Sequence, residues 1–404
     1  MTAAPSTLPA LDRRAVALLL AATLTTMANA AISPALPGLE VRFAHHPQAA
    51  LLTRFLVPAP SVAVVLIAGW AGVLADRLGR RPLLIGGVLL FALAGSLGMV
   101  LGSLEAILLS RLALGVAVAL IMTAQTALIA DYFDGAARSR VLGLQISARN
   151  LGGLVSITLA GVLALMSPMH AFAIHGLALL ILPILWCAIS EPKRPSPATT
   201  APGAPSATTQ RLGLGLWAIA GLQMLTTICF FTMPTQVPFF VASHGIRNTA
   251  IIGSVMGALT LAGMLAATRY STLKPRLGHA RLFLLGYGLM GLGMAVLALA
   301  PGLAMIFLGA ALVGLGFATV SPNFNEIALR AAPADLRGRA AGIMTTSVFL
   351  GQIVSPFLTL PMVRHAGYSG TFATLAVLLG LAALVALLAY GVTRGATDAA
   401  ERAS

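Results

Sequence analysis

Charged side chains that interrupt long apolar stretches are the residues of this chain best suited to chemistry. The stretch from Gly72 to Arg81 also holds Asp76, Arg77 and Arg80, and the segments on either side of it are nearly uncharged. Charges at this density do not lie in hydrocarbon, so the stretch must be a short loop that joins two membrane-spanning helices. The chemistry open to this loop is ion pairing, together with binding of its carboxylate at the positive end of a helix.

The loop reads Gly-Val-Leu-Ala-Asp-Arg-Leu-Gly-Arg-Arg. It resembles the signature loop between helices 2 and 3 of the major facilitator superfamily, Gly-x-Leu-Ala-Asp-Arg-x-Gly-Arg-Lys/Arg, at every specified position. The resemblance implies a conformational latch, in which Asp76 faces the start of the eleventh helix near Gly338 to Gly342 and Arg80 pairs with Asp131. An ordinary basic loop is the alternative, but it explains neither the aspartate nor the glycines. The expected latch residues are Gly72, Asp76, Arg77, Gly79, Arg80, Arg81 and Asp131.

Composition assigns the whole chain to the membrane. Hydrophobic residues make up 58% and charged residues only 9%, whereas soluble domains carry about 25% charged residues. The net charge of +14 is unevenly placed, since 19 of the 25 basic residues fall on one face if the Asp76 loop is cytoplasmic. An excess of lysine and arginine in cytoplasmic loops accounts for this charge, so no nucleic-acid partner is expected.

The hydropathy pattern predicts an all-α membrane protein with twelve transmembrane helices in two pseudo-symmetric six-helix halves. A Pro-rich cytoplasmic linker at 191–211 separates the N-terminal half (1–190) from the C-terminal half (212–404), and both termini are expected in the cytoplasm of a plasma (inner) membrane protein. A cleaved signal peptide is the alternative for the first span. The expected spans are 15–36, 52–75, 82–101, 105–128, 140–165, 171–190, 213–235, 250–270, 281–300, 303–325, 340–360 and 370–391.

The two halves repeat each other at a fixed offset of 199 residues. Gly115 corresponds to Gly314 and Gly152 to Gly351 at this offset, and matches of the same kind run through spans 2 to 5 and 8 to 11. A repeat of two six-helix halves with a substrate site near the membrane midplane is a known transporter plan. The repeat therefore predicts a binding cavity between the halves.

Arg149 lies near half the membrane depth on a predicted helix face that it shares with Gln145, Gly152 and Ser156. An unpaired arginine at that depth costs several kcal/mol, so we expect it to face a water-filled cavity and to favour a substrate with negative or acceptor character. Each polar residue at this depth has an alternative role as a hydrogen-bonding contact between helices. The substrate-cavity candidates are Asn29, Gln125, Gln145, Arg149, Gln223, Thr227, Asn323 and Gln352.

Two residues are candidates for proton coupling. Arg111 with Gly115 resembles the Arg-x-x-x-Gly motif that the superfamily carries on its fourth helix and that has been linked to proton transfer. The alternative for Arg111 is a side chain that extends to the outer surface. Glu326 lies near the inner end of the tenth span, whereas the first span has no acid at mid-depth.

The chain resembles the bacterial drug/solute:proton antiporter-like branch of this superfamily, and the resemblance implies a secondary transporter that exports a small amphipathic or drug-like solute by proton-coupled alternating access. The fifth span keeps the glycine spacing of antiporters without their Gly-Pro pair, and we expect it to pack against the segment Gly253-x3-Gly257. Uptake or exchange of a small organic anion is the second hypothesis, and a non-transporting receptor or scaffold is a distant third.

The expected partners are a small-molecule substrate, protons and the lipid bilayer, and the chain is expected to be a monomer. We expect no enzyme activity and no cofactor, because neither a catalytic constellation nor a phosphate-binding loop is present. No metal site is expected either, since Cys187 and Cys229 both lie in apolar segments.

Overall fold

The computed structural model of the protein describes residues 12–192, 213–333 and 336–403, which form helices joined by short turns. Of the predicted linker 191–211, residues 193–211 lie outside the described residues. Short 3-10 segments at Ser33–Ala35 and Pro168–Leu177 join some of the helices. The α-helices are α1 (Arg13–Ala30), α2 (Leu36–Arg42), α3 (Ala49–Phe55), α4 (Ala59–Leu78), α5 (Arg80–Leu97), α6 (Leu104–Tyr132), α7 (Gly135–Leu163), α8 (Ala178–Ala188), α9 (Leu214–Ser243), α10 (Thr249–Ala298), α11 (Leu303–Ala331) and α12 (Arg337–Ala403).

Within the described ranges, 10 helical segments are long and apolar enough to cross a membrane, where the sequence predicts twelve spans. The difference comes from α10 and α12, since α10 alone has 50 residues. A straight helix of that length would extend roughly 75 Å, more than twice the hydrocarbon thickness. Each of the two contains one glycine with a non-helical backbone, Gly278 (φ 67°, ψ 177°) in α10 and Gly367 (φ 66°, ψ −178°) in α12.

The two limbs of α10 lie against the same part of α11. A Cβ added to Gly263, before the break, would lie 3.2 Å from the carbonyl oxygen of Gly314. One added to Gly286, after the break, would lie 2.9 Å from the carbonyl oxygen of Gly316. Gly278 therefore reverses the chain, and the count of twelve spans stays a prediction that this reversal supports.

The internal repeat is visible in helix contacts. A Cβ on Gly115 in α6 would overlap the carbonyl oxygen of Pro60 in α4, and a Cβ on Gly314 would overlap that of Leu259. Both members of the second pair lie 199 residues beyond those of the first. The predicted offset is confirmed for this contact, in which glycine lets two helix backbones approach closely.

A second pair of contacts and a pair of turns follow the same offset. The backbone nitrogen of Ile121 would lie 3.3 Å from a Cβ on Gly87, and the nitrogen of Val320 would lie 3.3 Å from a Cβ on Gly286. At the start of α5, Gly79 has φ 99°, and its counterpart Gly278 has φ 67°. Glycine is required at such turns because side chains disfavour positive φ.

Buried apolar side chains form two clusters that divide near the predicted boundary between the halves. One cluster consists of residues between 15 and 189 together with Phe231 and Phe239, and the other of residues between 216 and 383 together with Ile157. The three exceptions come from α7 and α9, which lie where the clusters meet. The exact domain limits stay a prediction.

The predicted contact between the fifth span and Gly253-x3-Gly257 is confirmed. A Cβ on Gly161 in α7 would lie 2.8 Å from the carbonyl oxygen of Thr249, and one on Gly253 would lie 3.1 Å from that of Ile157. The hydroxyl of Thr249 also donates to the Gly161 carbonyl at 2.8 Å. These small residues bring α7 and α10 together across the boundary between the halves.

We predict that Gly115→Ala and Gly314→Ala each lower the thermal unfolding temperature of the purified protein, because the new methyl group overlaps a carbonyl oxygen on the neighbouring helix. Gly288→Ala is the matched control, since its Cβ would enter open space on α10. The control should be neutral or stabilising by about 0.5–1 kcal/mol through helix propensity. Equal melting temperatures for all three variants would contradict the close approach of the helices.

Candidate functional site

A cavity of about 120 Å³ lies between the two parts of the chain. Its walls come from α1, α4, α6 and α7 on one side and from α12 on the other. The lining residues are Thr25, Asn29, Pro60, Ser61, Val64, Val118, Met122, Arg149, Phe349 and Gln352. Three predicted cavity candidates, Asn29, Arg149 and Gln352, are therefore brought together.

Gln352 joins the two walls of this cavity. Its Oε1 accepts hydrogen bonds from Asn29 Nδ2 at 3.1 Å and from Ser61 Oγ at 2.5 Å. Asn29 Oδ1 is buried without a partner among the described residues. The cavity thus keeps one unused acceptor beside a contact that links α1 and α4 to α12.

Arg149 is the charged residue of the cavity lining. Its guanidinium has no hydrogen-bond or ion-pair partner among the described residues, and its Nε is buried. No aspartate or glutamate is among the cavity-lining residues. A positive charge with several free donors therefore faces a polar space, an arrangement that binds a carboxylate or another acceptor group.

The other cavity candidates lie elsewhere in the protein. Gln125 donates to the carbonyl of Leu18, and Thr227 donates to the carbonyl of Gln223 at 2.9 Å. Gln145 and Gln223 are buried, each with one amide atom that lacks a partner among the described residues. Of these four side chains, only Gln125 forms a hydrogen bond to another helix in the described part of the chain, which is the alternative role considered for such residues.

Asn323 and Glu326 belong to a separate polar cluster where α10 and α11 meet. Asn323 Oδ1 accepts from the hydroxyl of Tyr270 at 2.7 Å and lies 3.0 Å from His279 Nδ1. Glu326 forms ion pairs with Lys274 and, at 2.7 Å, with Arg330. The carboxylate of Glu326 is thus already neutralised by neighbouring bases.

Arg111 is fully buried and does not extend to the outer surface. Its Nε donates to the carbonyl of Leu56 at 3.2 Å, and its Nη2 donates to that of Ala28. Nη1 lies 3.2 Å from Nε2 of His175, whose Nδ1 lies 2.9 Å from the Phe172 carbonyl. This assigns the Nδ1–H tautomer, in which His175 accepts from Arg111.

At one end of the helices, Arg80 forms an ion pair with Asp131, the two residues that the resemblance pairs. The carboxylate of Glu191 accepts from the backbone N–H groups of Arg80 and Arg81, each at 2.8 Å. It therefore caps the start of α5. Because a Cβ on Gly79 would lie 2.9 Å from Glu191 Oε1, the glycine also makes room for this cap.

We call this end the Gly79 face, and the latch contact expected there is absent among the described residues. Asp76 is exposed and has no partner among the described residues. Open space surrounds Gly72 as well as Gly338 and Gly342 at the start of α12. The contact between Asp76 and α12 that the family resemblance implies is therefore not made in this conformation.

At the opposite end, which we call the Glu40 face, Arg54 connects the two halves. Its side chain forms an ion pair with Glu40 and is only 5% exposed. Its Nε donates to Gln236 Oε1 at 3.0 Å, and its guanidinium lies 3.6 Å from the centre of the Phe239 ring. Gln236 in turn donates to Thr359 Oγ1 at 3.0 Å, so the network runs from α2 and α3 through α9 to α12.

Two further contacts close the Glu40 face. Ser33 Oγ donates to the carbonyl of Pro234 at 2.7 Å. The rings of Phe55 and Phe357 meet edge to face with centres 5.2 Å apart. The two halves are therefore held together at this face.

Sequence reasoning did not find Arg54, Gln236, His175 or Glu191 as site residues. Arg54 and Gln236 are separated by 182 positions, and Glu191 and Arg80 by 111. The available signal for Arg54 was an arginine beside an apolar segment, since such a charge requires partners wherever it is buried. Nothing in the sequence indicates which partners these are.

Residues 18–356 and 276–403 match the profile of the Major Facilitator Superfamily. Among curated proteins, the chain is 26% identical over 156 residues to the multidrug efflux pump Tap of Mycolicibacterium fortuitum, a match that covers 38% of each chain. It is 28% identical over 141 residues to multidrug resistance protein 1 of Bacillus subtilis (strain 168), covering 35% of this chain and 36% of the relative. The matches therefore span well under two thirds of these relatives.

Among solved structures, a D-xylose-proton symporter superposes with a TM-score of 0.77 at 20% identity, covering 93% of this chain and 96% of that one. An inward-facing bacterial homologue of the human lysosomal transporter Spinster superposes with a TM-score of 0.72 at 16% identity, with the same coverage. These likenesses show a shared fold. Because the profile match spans more than half of the sequence, this chain belongs to the Major Facilitator Superfamily.

Proposed function

We propose that this protein is a secondary active transporter that exports a small amphipathic or drug-like solute in exchange for protons. It is a multi-pass membrane protein of a transporter family rather than an enzyme. The names of its curated relatives, which are multidrug efflux and resistance proteins, support export as the direction. The bacterial source of those relatives supports the plasma (inner) membrane as its location.

The observation that carries this proposal is a cavity lined from both halves and closed at one end. Asn29 and Arg149 line it from one half, and Phe349 and Gln352 from the other. Arg54 seals the Glu40 face, while the Gly79 face lacks the Asp76 contact. If the Gly79 face is cytoplasmic, as the arginine distribution suggests, this conformation is open toward the cytoplasm.

Alternating access then exchanges one set of contacts for another. Opening of the Glu40 face breaks the hydrogen bond from Arg54 to Gln236, and closure of the Gly79 face brings Asp76 to the start of α12. A carboxylate at a helix N-terminus contributes about 0.3–1 kcal/mol when exposed and up to about 2 kcal/mol when partly buried. A contact of this size made in one state biases the equilibrium without freezing it.

Proton coupling in this proposal does not use a carboxylate in the cavity, since the lining residues contain none. Arg111 and Glu326 stay the candidates taken from the sequence. The contact with His175 gives Arg111 a neutral imidazole as a hydrogen-bond acceptor. Glu326 shares its charge with Lys274 and Arg330, so its proton exchange would require that cluster to separate.

Uptake or exchange of a small organic anion is the second candidate function, and Arg149 is the observation that favours it. A guanidinium without a counterion in a space of about 120 Å³ matches the carboxylate of a small acid. In either direction of transport, we propose that Arg149 selects for an acceptor group on the substrate.

We predict that Arg149→Gln weakens transport of anionic substrates far more than of cationic ones, because the substrate supplies the missing counter-charge. Arg149→Lys should also weaken anion transport, since the planar fork is lost. The measurement is solute flux in proteoliposomes under an imposed pH gradient, after a thermal-shift screen of drugs and organic acids. A ligand at 100 times its Kd stabilises by about 2.7 kcal/mol and is therefore detectable.

Arg140→Gln is the matched control for this experiment, because it removes an exposed arginine from the same helix outside the cavity. Flux that does not respond to the pH gradient would contradict proton coupling. If wild type and Arg149→Gln transport anionic substrates equally well and cationic substrates equally well, Arg149 has a structural role instead.

The two faces give a second prediction, with variants that act in opposite directions. Arg54→Gln should open the Glu40 face, because it removes the charge that bonds to Gln236. Asp76→Asn should instead favour the conformation described here, because it removes a charge that only the other state uses. Labelling of a cysteine in place of Ser33, in a Cys187→Ser background, should rise in the first variant and fall in the second. Labelling that is unchanged in both would mean that these contacts do not set the equilibrium.

The arginine distribution generates a third prediction, which concerns topology. Reporter fusions within residues 1–12, 191–211 and 395–404 should all show cytoplasmic activity, because the Gly79 face carries most of the basic residues. Periplasmic activity at the central linker would contradict the twelve-span arrangement. A mature protein that lacks the first span would show that a signal peptide had been removed.

A further inference from the structure

A second pocket, of about 570 Å³, opens on the Gly79 face beside α1, α5 and α8. It is separate from the central cavity and shares no residue with it. Three arginines line it, Arg13, Arg14 and Arg81, together with one acid, Asp12. The transport cycle proposed above leaves this basic pocket without a role.

The Arg81 side chain is fixed by its neighbours and keeps an unused hydrogen-bond donor. Its Nη2 donates to the carbonyl of Trp186 at 3.0 Å, and its guanidinium lies 4.7 Å from the centre of the Trp186 ring. Its Nε is buried without a partner, and its Nη1 makes no hydrogen bond among the described residues. A fixed planar guanidinium with a free donor is suited to the oxygens of a phosphate group.

The other charged groups of the pocket leave it positive. The guanidinium of Arg14 lies 4.7 Å from the centre of the Tyr132 ring, and the side chain of Arg13 has no partner among the described residues. The carboxylate of Asp12 accepts from the backbone N–H of Arg14 at 3.0 Å and so caps α1. Glu191, which follows the lining residue Ser190, is engaged by the backbone at the start of α5.

An exposed apolar strip leads from this pocket along α8. Leu180 is 70% exposed and Ile184 is 43% exposed, and Cys187 continues the same helix face into the pocket wall. Trp186 beside it is 62% exposed, as is typical of tryptophan at a membrane interface. A soluble phosphate would make no use of such a strip, whereas the acyl chains of a lipid would lie along it.

We propose that this pocket binds the phosphodiester headgroup of an anionic phospholipid from the leaflet at the Gly79 face. Arg13, Arg14 and Arg81 supply the positive charge, and the strip through Leu180 and Ile184 receives the acyl chains. Basic pockets at helix ends on the cytoplasmic side recognise acidic lipid headgroups by this chemistry. The site does not depend on the identity of the transported solute.

The test is native mass spectrometry of the purified full-length protein with phosphatidylglycerol or phosphatidylcholine, together with thermal unfolding in each lipid. Wild type should retain phosphatidylglycerol preferentially and be stabilised by it. Arg13→Gln/Arg81→Gln should weaken phosphatidylglycerol binding by roughly tenfold, because each basic side chain near the surface adds to the attraction for acidic lipid. Arg269→Gln/Arg276→Gln is the charge-matched control, with two exposed arginines of α10 outside the pocket, and it should bind as wild type does.

Arg13→Gln alone guards against misfolding, since the Arg13 side chain has no hydrogen-bond, ion-pair or ring partner among the described residues, and this variant should show part of the same loss. Equal retention of the two lipids by wild type would overturn the proposal. So would an equal loss in the α10 control, which would indicate attraction to the basic surface as a whole. Stabilisation by inorganic phosphate or glycerol phosphate without any by phosphatidylglycerol would overturn the assignment to a lipid.

Discussion

The arrangement of this protein depends on how it compensates arginine charges that are removed from water. A buried guanidinium costs several kcal/mol unless other groups replace its hydration. Arg111 is surrounded by backbone carbonyls and His175, and it fixes the helices around it. Arg54 has Glu40 as its counter-charge and forms the seal. Arg149 has neither, so its compensation is left to the content of the cavity. Arginine thus fixes neighbouring helices, connects the two halves or lines the cavity, according to the partners that surround it.

The repeat explains why the two halves share helix contacts but not charges. Backbone approach at Gly115 and Gly314 requires glycine in both halves, because any side chain would overlap a carbonyl oxygen. The ion pairs face no such constraint. Arg80, which pairs with Asp131, has His279 as its counterpart 199 residues later. His279 lies 3.8 Å from Glu326, whose main partner is Lys274. The packing has therefore kept its symmetry, while the polar groups at the Gly79 face differ between the halves.

Sequence reasoning succeeded where a local pattern carried the information. The stretch from Gly72 to Arg81, predicted as a loop, is helical up to Leu78 and turns at Gly79 alone, so its charge pattern located the turn but not its length. Arg149, predicted at mid-depth, is among the residues that line the cavity. Contacts between distant segments could not be predicted from local patterns. Gln236 resembles the many polar residues of apolar helices, and only the folded structure brings it within 3.0 Å of Arg54. Hydropathy predicted twelve spans. It did not predict that Gly278 joins two helical limbs directly, without a loop between them.

The ion pairs and the contacts between the halves are divided in a way that suits alternating access. Among the described residues, each ion pair lies within one half, as in Glu40 with Arg54 and Lys274 with Glu326. The hydrogen bonds that cross between the halves pair neutral groups, or Arg54 with a neutral amide. Separation of Arg54 from Glu40 would leave a largely buried guanidinium without its counter-charge, whereas a hydrogen bond contributes about 0.5–1.5 kcal/mol, or up to about 3 kcal/mol with a charged group. Because each pair moves as a unit with its own half, opening of the Glu40 face separates only the weaker contacts.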